Sequence, residues 1–317
     1  MLGYIVRRVL YIIPISIAVS LVCFLLVHIA PGDPIDAMVQ PDTPREVIER
    51  VRAEYGLDKP LPIQFAIWLS KVVQGDFGKS IINGQPVLPE LVSASIATLI
   101  LACTGGFLGF LIGCVFGGIA GVYRGTWIDR VLLTIAVAGV SVPHYWLGMV
   151  MVIIFSVNLN ILPAMGAGPG GSTGWAWDWD HIRYLILPSI TLAVIPAGIV
   201  TRTVRGLVSD IMSQDYITTL QGKGLRRRRI ASHVVRNAAP TVLAVIGLQL
   251  ANLMGGSILV ETVFAWPGTG MKLNMAIFQR DIPMLQATTL VLAMFFVVLN
   301  LLVDLFQTAI DPRISRT

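Results

Sequence analysis

Asp215–Pro240 reads DYITTLQGKGLRRRRIASHVVRNAAP, and its character governs the reading of everything around it. Between Arg202 and Arg236 there are eight Lys or Arg against two acids, Asp210 and Asp215, while the whole chain carries a net charge of only +5. The charges outside this stretch therefore nearly cancel. A long apolar run precedes it and another follows. A basic, partly helical segment hung between two membrane spans is a place where something outside the membrane can push or be pushed.

Within the stretch, Asp215 is suited to cap a short helix by accepting backbone N–H bonds. Tyr216, Ile217 and Leu220 fall on one apolar patch. Gly224 permits a left-handed or sharply turning backbone. Leu225 follows, and Arg226 to Arg229 open a second helix that runs through Val234 towards the next span. The product is a helix–turn–helix outside the membrane. An apolar knob flanked by cations suits a groove on a soluble partner; the plainer alternative is a basic loop whose arginines lie at lipid headgroups.

The flanking chain is that of a membrane protein. Of 317 residues, 55% are hydrophobic and 13% charged, against about 25% charged in soluble domains. A helix needs about 20 apolar residues to cross a bilayer, and six runs of that kind occur: Val9–Ile29, Ile96–Val122, Val131–Leu159, Tyr184–Val204, Thr241–Thr262 and Met284–Ala309. Their cores carry essentially no charge, with Arg202 and Asp304 near span ends. The chain therefore reads as all-α and polytopic. The first run is too long for a signal-peptide core and lacks a small-x-small cleavage site, so it reads as an uncleaved span that starts in the cytoplasm. Six spans return the C-terminus to the same side. Apart from the six basic residues of the long 31–95 segment, the outer loops then hold only Arg183, Lys272 and Arg280, in keeping with inside positivity. The expected division is a first helix at 1–30, an extracytoplasmic amphipathic segment at 31–95, a five-helix core at 96–310 with its loop at about 205–238, and a tail at 311–317.

Several local features qualify this plan. Pro31-Gly32-Asp33-Pro34 ends the first span, and Thr43-Pro44-Arg45-Glu46 is a capping box with proline at the first helical position. Gly56 and Pro60 end that helix, and a second amphipathic stretch follows around Ile63–Val73. Gly75-Asp76-Phe77-Gly78-Lys79-Ser80 ends like a phosphate-binding loop, but Val73 stands where that motif needs glycine and no buried strand precedes it, so it reads as a plain loop. Gly105, Gly109, Gly113 and Gly117 repeat every four residues, a close-approach face for either a helix of the same chain or another subunit. Ser141-Val142-Pro143-His144 interrupts the third span, where proline kinks a helix and frees a carbonyl. His144 has no acid nearby in sequence and reads as structural or interfacial rather than as a ligand or proton carrier. Trp175, Trp177 and Trp179 alternate in an outer loop, which suits either the membrane interface or a docking partner. Gln249, Asn252 and Gly256, spaced i, i+3 and i+7, share one face of the fifth span. That uncharged polar face lines a solute pathway or glues helices together.

Cys23, Cys103 and Cys114 all lie within apolar spans and read as small buried hydrophobes. No spacing suggests zinc, iron–sulfur or haem, and no catalytic, cofactor or metal residues are expected. An intramembrane enzyme would need a nucleophile–base or metal constellation, of which Ser141 with His144 is the sole hint. A self-sufficient carrier or channel would place titratable groups in mid-membrane, and none is found. Four arginines beside membrane spans give no reason to invoke nucleic acid.

The stretch DYITTLQGKGL…HVVRNAAP resembles the signature loop of ABC importer permeases of the dipeptide/oligopeptide/nickel subfamily. VRRVLYIIP at the start, HIAPGDP after the first span, ETVFAWPGTG, and NLLVDLFQTAIDPRI at the end resemble the same subfamily, so the likeness runs nearly end to end. Gly224 falls on the signature glycine, and Thr218-Thr219-Leu220 stands where the general pattern has Glu-Ala-Ala. Leu220 and Gly222 depart from the subfamily pattern. The resemblance implies a type I importer permease in a bacterial inner membrane, whose coupling helix sits in a cleft of a cytoplasmic ATPase. Asp215, Tyr216, Thr219, Leu220, Lys223, Gly224 and Leu225 would carry that coupling, and Gln249, Asn252 and Gly256 the translocation path. It further implies a second homologous permease, two ATPases that bind ATP and Mg, an external solute-binding protein, and surrounding membrane lipid. The solute would be a dipeptide or oligopeptide, or alternatively glutathione or a nickel chelate.

Overall fold

The computed structural model describes residues 2–29, 44–54, 58–171 and 175–310. The Pro31–Pro34 turn, Thr43 of the capping box, Gly56 and the tail from Asp311 lie outside the described residues. Among the described residues the chain is helical, and the one extended pairing is an isolated antiparallel bridge between Lys79 and Pro86. The α-helices in order are α1 (Leu2–Ile29), α2 (Arg45–Glu54), α3 (Leu61–Val73), α4 (Val87–Val122), α5 (Trp127–Ser141), α6 (His144–Met151), α7 (Trp179–Met212), α8 (Asp215–Gly222), α9 (Arg227–Val263), α10 (Thr269–Gln279) and α11 (Ile282–Ile310). A π-helix, Val152–Asn158, continues α6.

Four helices (α4, α7, α9 and α11) are long and apolar enough to cross a membrane, and α5 with the α6–π segment makes a fifth span if the two are counted together. α5 and the α6–π segment meet at 103°. Val142 is extended there (φ −88°, ψ 124°), and Pro143, which has no N–H to give the preceding turn, starts the new direction. The membrane helices also run well beyond the apolar stretches that mark them: α9 begins in the arginine run and α7 continues past Arg205. α10 falls in what reads in sequence as an outer loop.

The chain forms two compact units. The first comprises Met1–Thr98 and Pro267–Val297. Val87, Leu91, Ala276, Met284 and Ala287 form its buried core, and Phe24 packs on Phe65 and Trp68 at 5.5 and 5.9 Å between ring centroids. The loop that resembles a phosphate-binding motif has another use. Gly75 and Gly78 take φ of 82° and 77°, conformations open to glycine. Ser80 Oγ donates to the buried carboxylate of Asp281, which also accepts from the N–H groups of Ile81 and Met284 at 3.3 Å. Lys272 Nζ reaches Glu90 at 2.6 Å, and the Thr98 hydroxyl accepts from the N–H of Thr269 at 2.8 Å.

The second unit comprises Leu99–Trp266 and Val298–Thr317. In it α4 lies against α7, and the glycine stripe makes the contact. A Cβ at Gly109 would lie 2.7 Å from the carbonyl oxygen of Ala193, at Gly113 2.7 Å from Val200 Cβ, and at Gly117 2.6 Å from the carbonyl oxygen of Thr201. The stripe is therefore used within the chain. α5 approaches α7 in the same way at Gly139 and Gly198, where an added Cβ at Gly198 would overlap the carbonyl of Ala136. Backbones this close exchange dispersion contacts without fixing any side-chain rotamer, which suits helices with no hydrophobic effect between them. Asp178 caps α7 by accepting the N–H of His181 at 2.8 Å. The His181 side chain and that backbone N–H hold the Asp178 carboxyl below the ordinary aspartate range.

Among the cysteines, Cys23 is buried, Cys114 half-buried and Cys103 exposed, and all three are free thiols. The reading of all three as buried is thus corrected for Cys103, which lies on an outward face of α4. Trp175 packs against Trp177 and Trp266 at 5.5 and 5.7 Å, while Trp177 and Trp179 are exposed.

Candidate functional site: the basic loop and the helices that hold it

α8 is only eight residues long, far below the length at which a helix is stable by itself in water. It is held from outside. Ile217, 1% exposed, enters a core built from Val200, Val204, Val208 and Ile211 of α7 and Ile230, Val234 and Ala238 of α9. Tyr216, Leu220 and Leu225 pack around the same core. Asn237 Nδ2 donates to the Tyr216 hydroxyl at 2.8 Å, a second tie to α9.

This turns the expected apolar knob inward. Tyr216, Ile217 and Leu220 face the chain's own core, and Asp215, Thr218, Thr219 and Lys223 face solvent. The reason is geometric: α7 ends and α9 begins within a few residues on either side of α8, so the apolar side of the short helix has two greasy neighbours at hand. Asp215 is not the cap. Gln214 holds that position without a side-chain bond, and Asp215 lies in the first turn, where its charge meets the positive end of the helix dipole. Thr219 Oγ1 donates to the carbonyl of Asp215 at 3.0 Å.

The turn after α8 follows the sequence reading closely. Lys223 N–H bonds the carbonyl of Thr219 at 3.0 Å, Gly224 N–H that of Gln221 at 2.9 Å, and Leu225 N–H that of Leu220 at 3.2 Å. Gly224 takes φ of 73°, the left-handed value that lets one residue reverse the chain. Arg226 is extended and holds the N-cap position of α9 without a side-chain bond, and Arg226 to Arg229 are all exposed.

An ion pair with a buried carboxylate sits on α7 about two turns before that helix ends. Arg205 donates through Nε to Asp129 Oδ1 at 3.1 Å and through Nη2 to Oδ2 at 2.8 Å. The Asp129 side chain is 3% exposed and that of Arg205 26%. The N–H of Gly125 donates to Oδ2 at 2.9 Å, and Arg124 donates to Ser209 Oγ at 2.8 Å. This pair joins the start of α5 to the C-terminal part of α7. Sequence gives no hint of it, because Asp129 and Arg205 stand 76 residues apart and Asp129 is hidden among the basic residues of its turn.

The polar face of α9 divides. Gln249 is buried and accepts from Asn252 Nδ2 at 3.3 Å; Asn252 itself is exposed. Gly256 faces the His144 ring, whose Cε1 would lie 3.4 Å from an added Cβ, and the ring hydrogen-bonds the Gly256 backbone. The structure thus adds His144 to the face that Gln249, Asn252 and Gly256 mark. Glu261, at the end of α9, is wholly buried, although it opens a loop-like run in sequence. Among the described residues no group of three or more His, Cys, Asp or Glu is placed to hold a metal ion.

Membrane-length helices, a broken span and a short helix clasped between two of them mark a polytopic membrane protein. The chain belongs to the family of binding-protein-dependent transport system inner membrane components, whose model matches residues 109–316, with the N-terminal model of the same systems matching 1–101. It is an ABC importer permease of the peptide/nickel type. It is 41% identical over 315 residues to the glutathione transport system permease protein GsiC of Escherichia coli K12 and 40% identical to that of Salmonella typhi, covering 99% of each chain. Chains of the MetNI methionine ABC transporter, in inward-facing conformations, share the fold: TM-score 0.56 and 19% identity, over 70% of this chain and 96% of the other.

Proposed function

We propose that this chain is one of two permease subunits that together form the path of an ATP-driven importer for a short peptide of the glutathione type. Likeness over the whole length to permeases named for glutathione transport supports that solute class, ahead of longer peptides or nickel chelates. In this reading the chain crosses the membrane six times, α1 being the first span, with both termini cytoplasmic. Residues 1–30, 31–95, 96–310 and 311–317 form first helix, outer segment, core and tail. Hydrolysis of ATP, with its Mg, belongs to two separate ATPase subunits, and a solute-binding protein delivers the solute from outside.

The observation that carries this reading is the clasp on α8. A helix too short to stand alone is anchored by its apolar side to two long helices while its polar side stays free. Such a part transmits a push: a partner that grips Asp215, Thr219 and Lys223 moves Tyr216, Ile217, Leu220 and Leu225, and with them the ends of α7 and α9. Gly224 lets the chain turn back immediately so that the grip stays compact. Nucleotide-driven closure of the ATPases then biases the spans between inward and outward access.

The test is ATPase activity of the reconstituted complex, comparing intact protein with Gly224→Pro. Proline fixes φ near −65° and removes the N–H that Gln221 accepts, so it cannot take the native turn. The variant should assemble but lose the stimulation of hydrolysis by loaded binding protein. Stimulation that is indifferent to Gly224 would exclude this loop as the coupling element.

A further inference from the structure

The break in the third span brings together features that the coupling loop does not use. His144 is the first residue of α6, immediately after Pro143. Its ring lies against Gly256 of α9 and hydrogen-bonds the backbone there. The N–H of Gly256 is committed inside α9, so the ring faces a carbonyl. A carbonyl only accepts, and Nδ1 is the ring nitrogen on that side, 3.6 Å from where a Cβ would stand. With the Nδ1 side of the ring on Gly256, we assign the proton to Nδ1, which leaves Nε2 as the acceptor. Among the described residues Nε2 meets no hydrogen-bond partner, and it is sealed from solvent. Buried polar atoms are nearly always satisfied, so an orphan of this kind points to a partner that arrives in another state.

We propose that His144 Nε2 is a solute-reading group: it accepts a hydrogen bond from an N–H of the peptide-type solute, with the exposed Asn252 amide one helical turn away on the same face of α9. The proposal rests on the permease reading above and deepens it. It selects for solutes rich in N–H donors, amide or ammonium, since Nε2 has a lone pair to give and no proton. A metal chelate fits less well, because among the described residues no group of three or more His, Cys, Asp or Glu is placed to complete a coordination shell. Access to Nε2 comes from the hinge. Val142 is extended between the two helices, and Pro143 has no N–H, so α6 can swing relative to α5 without breaking a helical hydrogen bond. The swing draws the ring off Gly256 or exposes its far edge.

The test uses the full complex in proteoliposomes at saturating binding protein, with Ala-Ala and its amide-N-methylated analogue as probes. Loading of the binding protein by each probe is measured separately by calorimetry, so that uptake at equal loading reports the permease step. In the intact complex uptake should favour Ala-Ala by about fivefold, the size of one hydrogen bond. His144→Phe keeps a ring and removes the nitrogen; it should bring the ratio to about one by slowing Ala-Ala. His144→Gln, which keeps an acceptor, should restore most of the discrimination. A ratio unchanged in His144→Phe overturns the proposal. So does failure of both variants to assemble, since His144 would then be a packing post. If the intact complex takes up neither probe nor glutathione from a loaded binding protein, the importer reading itself has failed and this one falls with it.

Discussion

Removing the Asp129 carboxylate is the sharpest structural test of how the second unit is held together. Each oxygen is in use: Oδ1 accepts from Arg205 Nε, and Oδ2 accepts from Arg205 Nη2 and from the Gly125 N–H. In Asp129→Ala all three donors lose their partner. Cutting one side of a buried ion pair costs about 3–5 kcal/mol. Arg205 is 26% exposed, so water recovers part of the loss and the lower end applies, about 3 kcal/mol. In Arg205→Met the orphan is a carboxylate only 3% exposed, with poorer access to water, and the cost rises to about 4 kcal/mol. The double variant Asp129→Ala/Arg205→Met buries no unpaired charge. It loses the pair but escapes the desolvation, and should cost only about 1–2 kcal/mol. The single costs should therefore exceed the double cost rather than add to it, giving a coupling of about 5 kcal/mol in the cycle. Unfolding free energies of the detergent-solubilised protein, from denaturant titrations of the four species, measure it. Additive single and double costs, or an Asp129→Ala variant within about 0.5 kcal/mol of the parent, would refute the reasoning.

Two further outcomes follow from the packing of the second unit. Gly117→Ala puts a methyl 2.6 Å from the carbonyl oxygen of Thr201, a backbone atom that cannot swing aside, so α4 and α7 must part at a cost of about 1–3 kcal/mol. Its neighbour Gly118 has nothing within 4 Å of an added Cβ, and Gly118→Ala should stabilise by up to about 1 kcal/mol; thermal unfolding of the two variants should move in opposite directions. Ile217→Ala empties the anchor of α8 at a cost of about 2–4 kcal/mol. Because α8 cannot stand alone, trypsin should cut at Lys223 and Arg226 more than about tenfold faster, and an unchanged digestion rate would show that the helix is held by something other than Ile217.

The long helices α4, α7, α9 and α11 and the broken span are legible in sequence because their signal is a sum over twenty or more apolar residues, and such sums survive local exceptions. The break at Pro143 and the turn at Gly224 are legible because each rests on the covalent geometry of one residue. What sequence leaves open is direction. The periodicity of Tyr216, Ile217 and Leu220 marks an apolar face, but whether that face meets a partner or the protein's own helices depends on where α7 ends and α9 begins. The glycine stripe of α4 has the same ambiguity, and the answer comes from α7 lying against it. α10 is missed because Gly270-Met271-Lys272-Leu273-Asn274 mixes polar and apolar residues without the long run a membrane helix shows. The Asp129–Arg205 pair and the meeting of His144 with Gly256 are long-range contacts between single residues, and no local pattern encodes them.

These contacts have a mechanical consequence on the permease reading. A push on α8 reaches α7 and α9 directly, because Ile217 is embedded between them. α7 is joined to α5 twice, by the Arg205–Asp129 pair at one end and by the Gly198–Ala136 backbone contact further along. Two helices in backbone contact at Gly198 and Ala136, with Val140 and Val194 packed tightly against the facing glycines and a salt bridge at one end, leave little room for motion between them, so they shift as one body. The first compliant point beyond them is Val142–Pro143, where no helical hydrogen bond resists rotation. Displacement of the loop by a few ångströms should therefore appear as a change in the 103° angle between α5 and the α6–π segment, while the α5–α7 distance stays fixed. Spin labels on α5, α6 and α7 can separate these two distances across the nucleotide cycle. Motion between α5 and α7, with the α5–α6 angle constant, would place the hinge elsewhere and remove the mechanical reason for a break in the middle of the span.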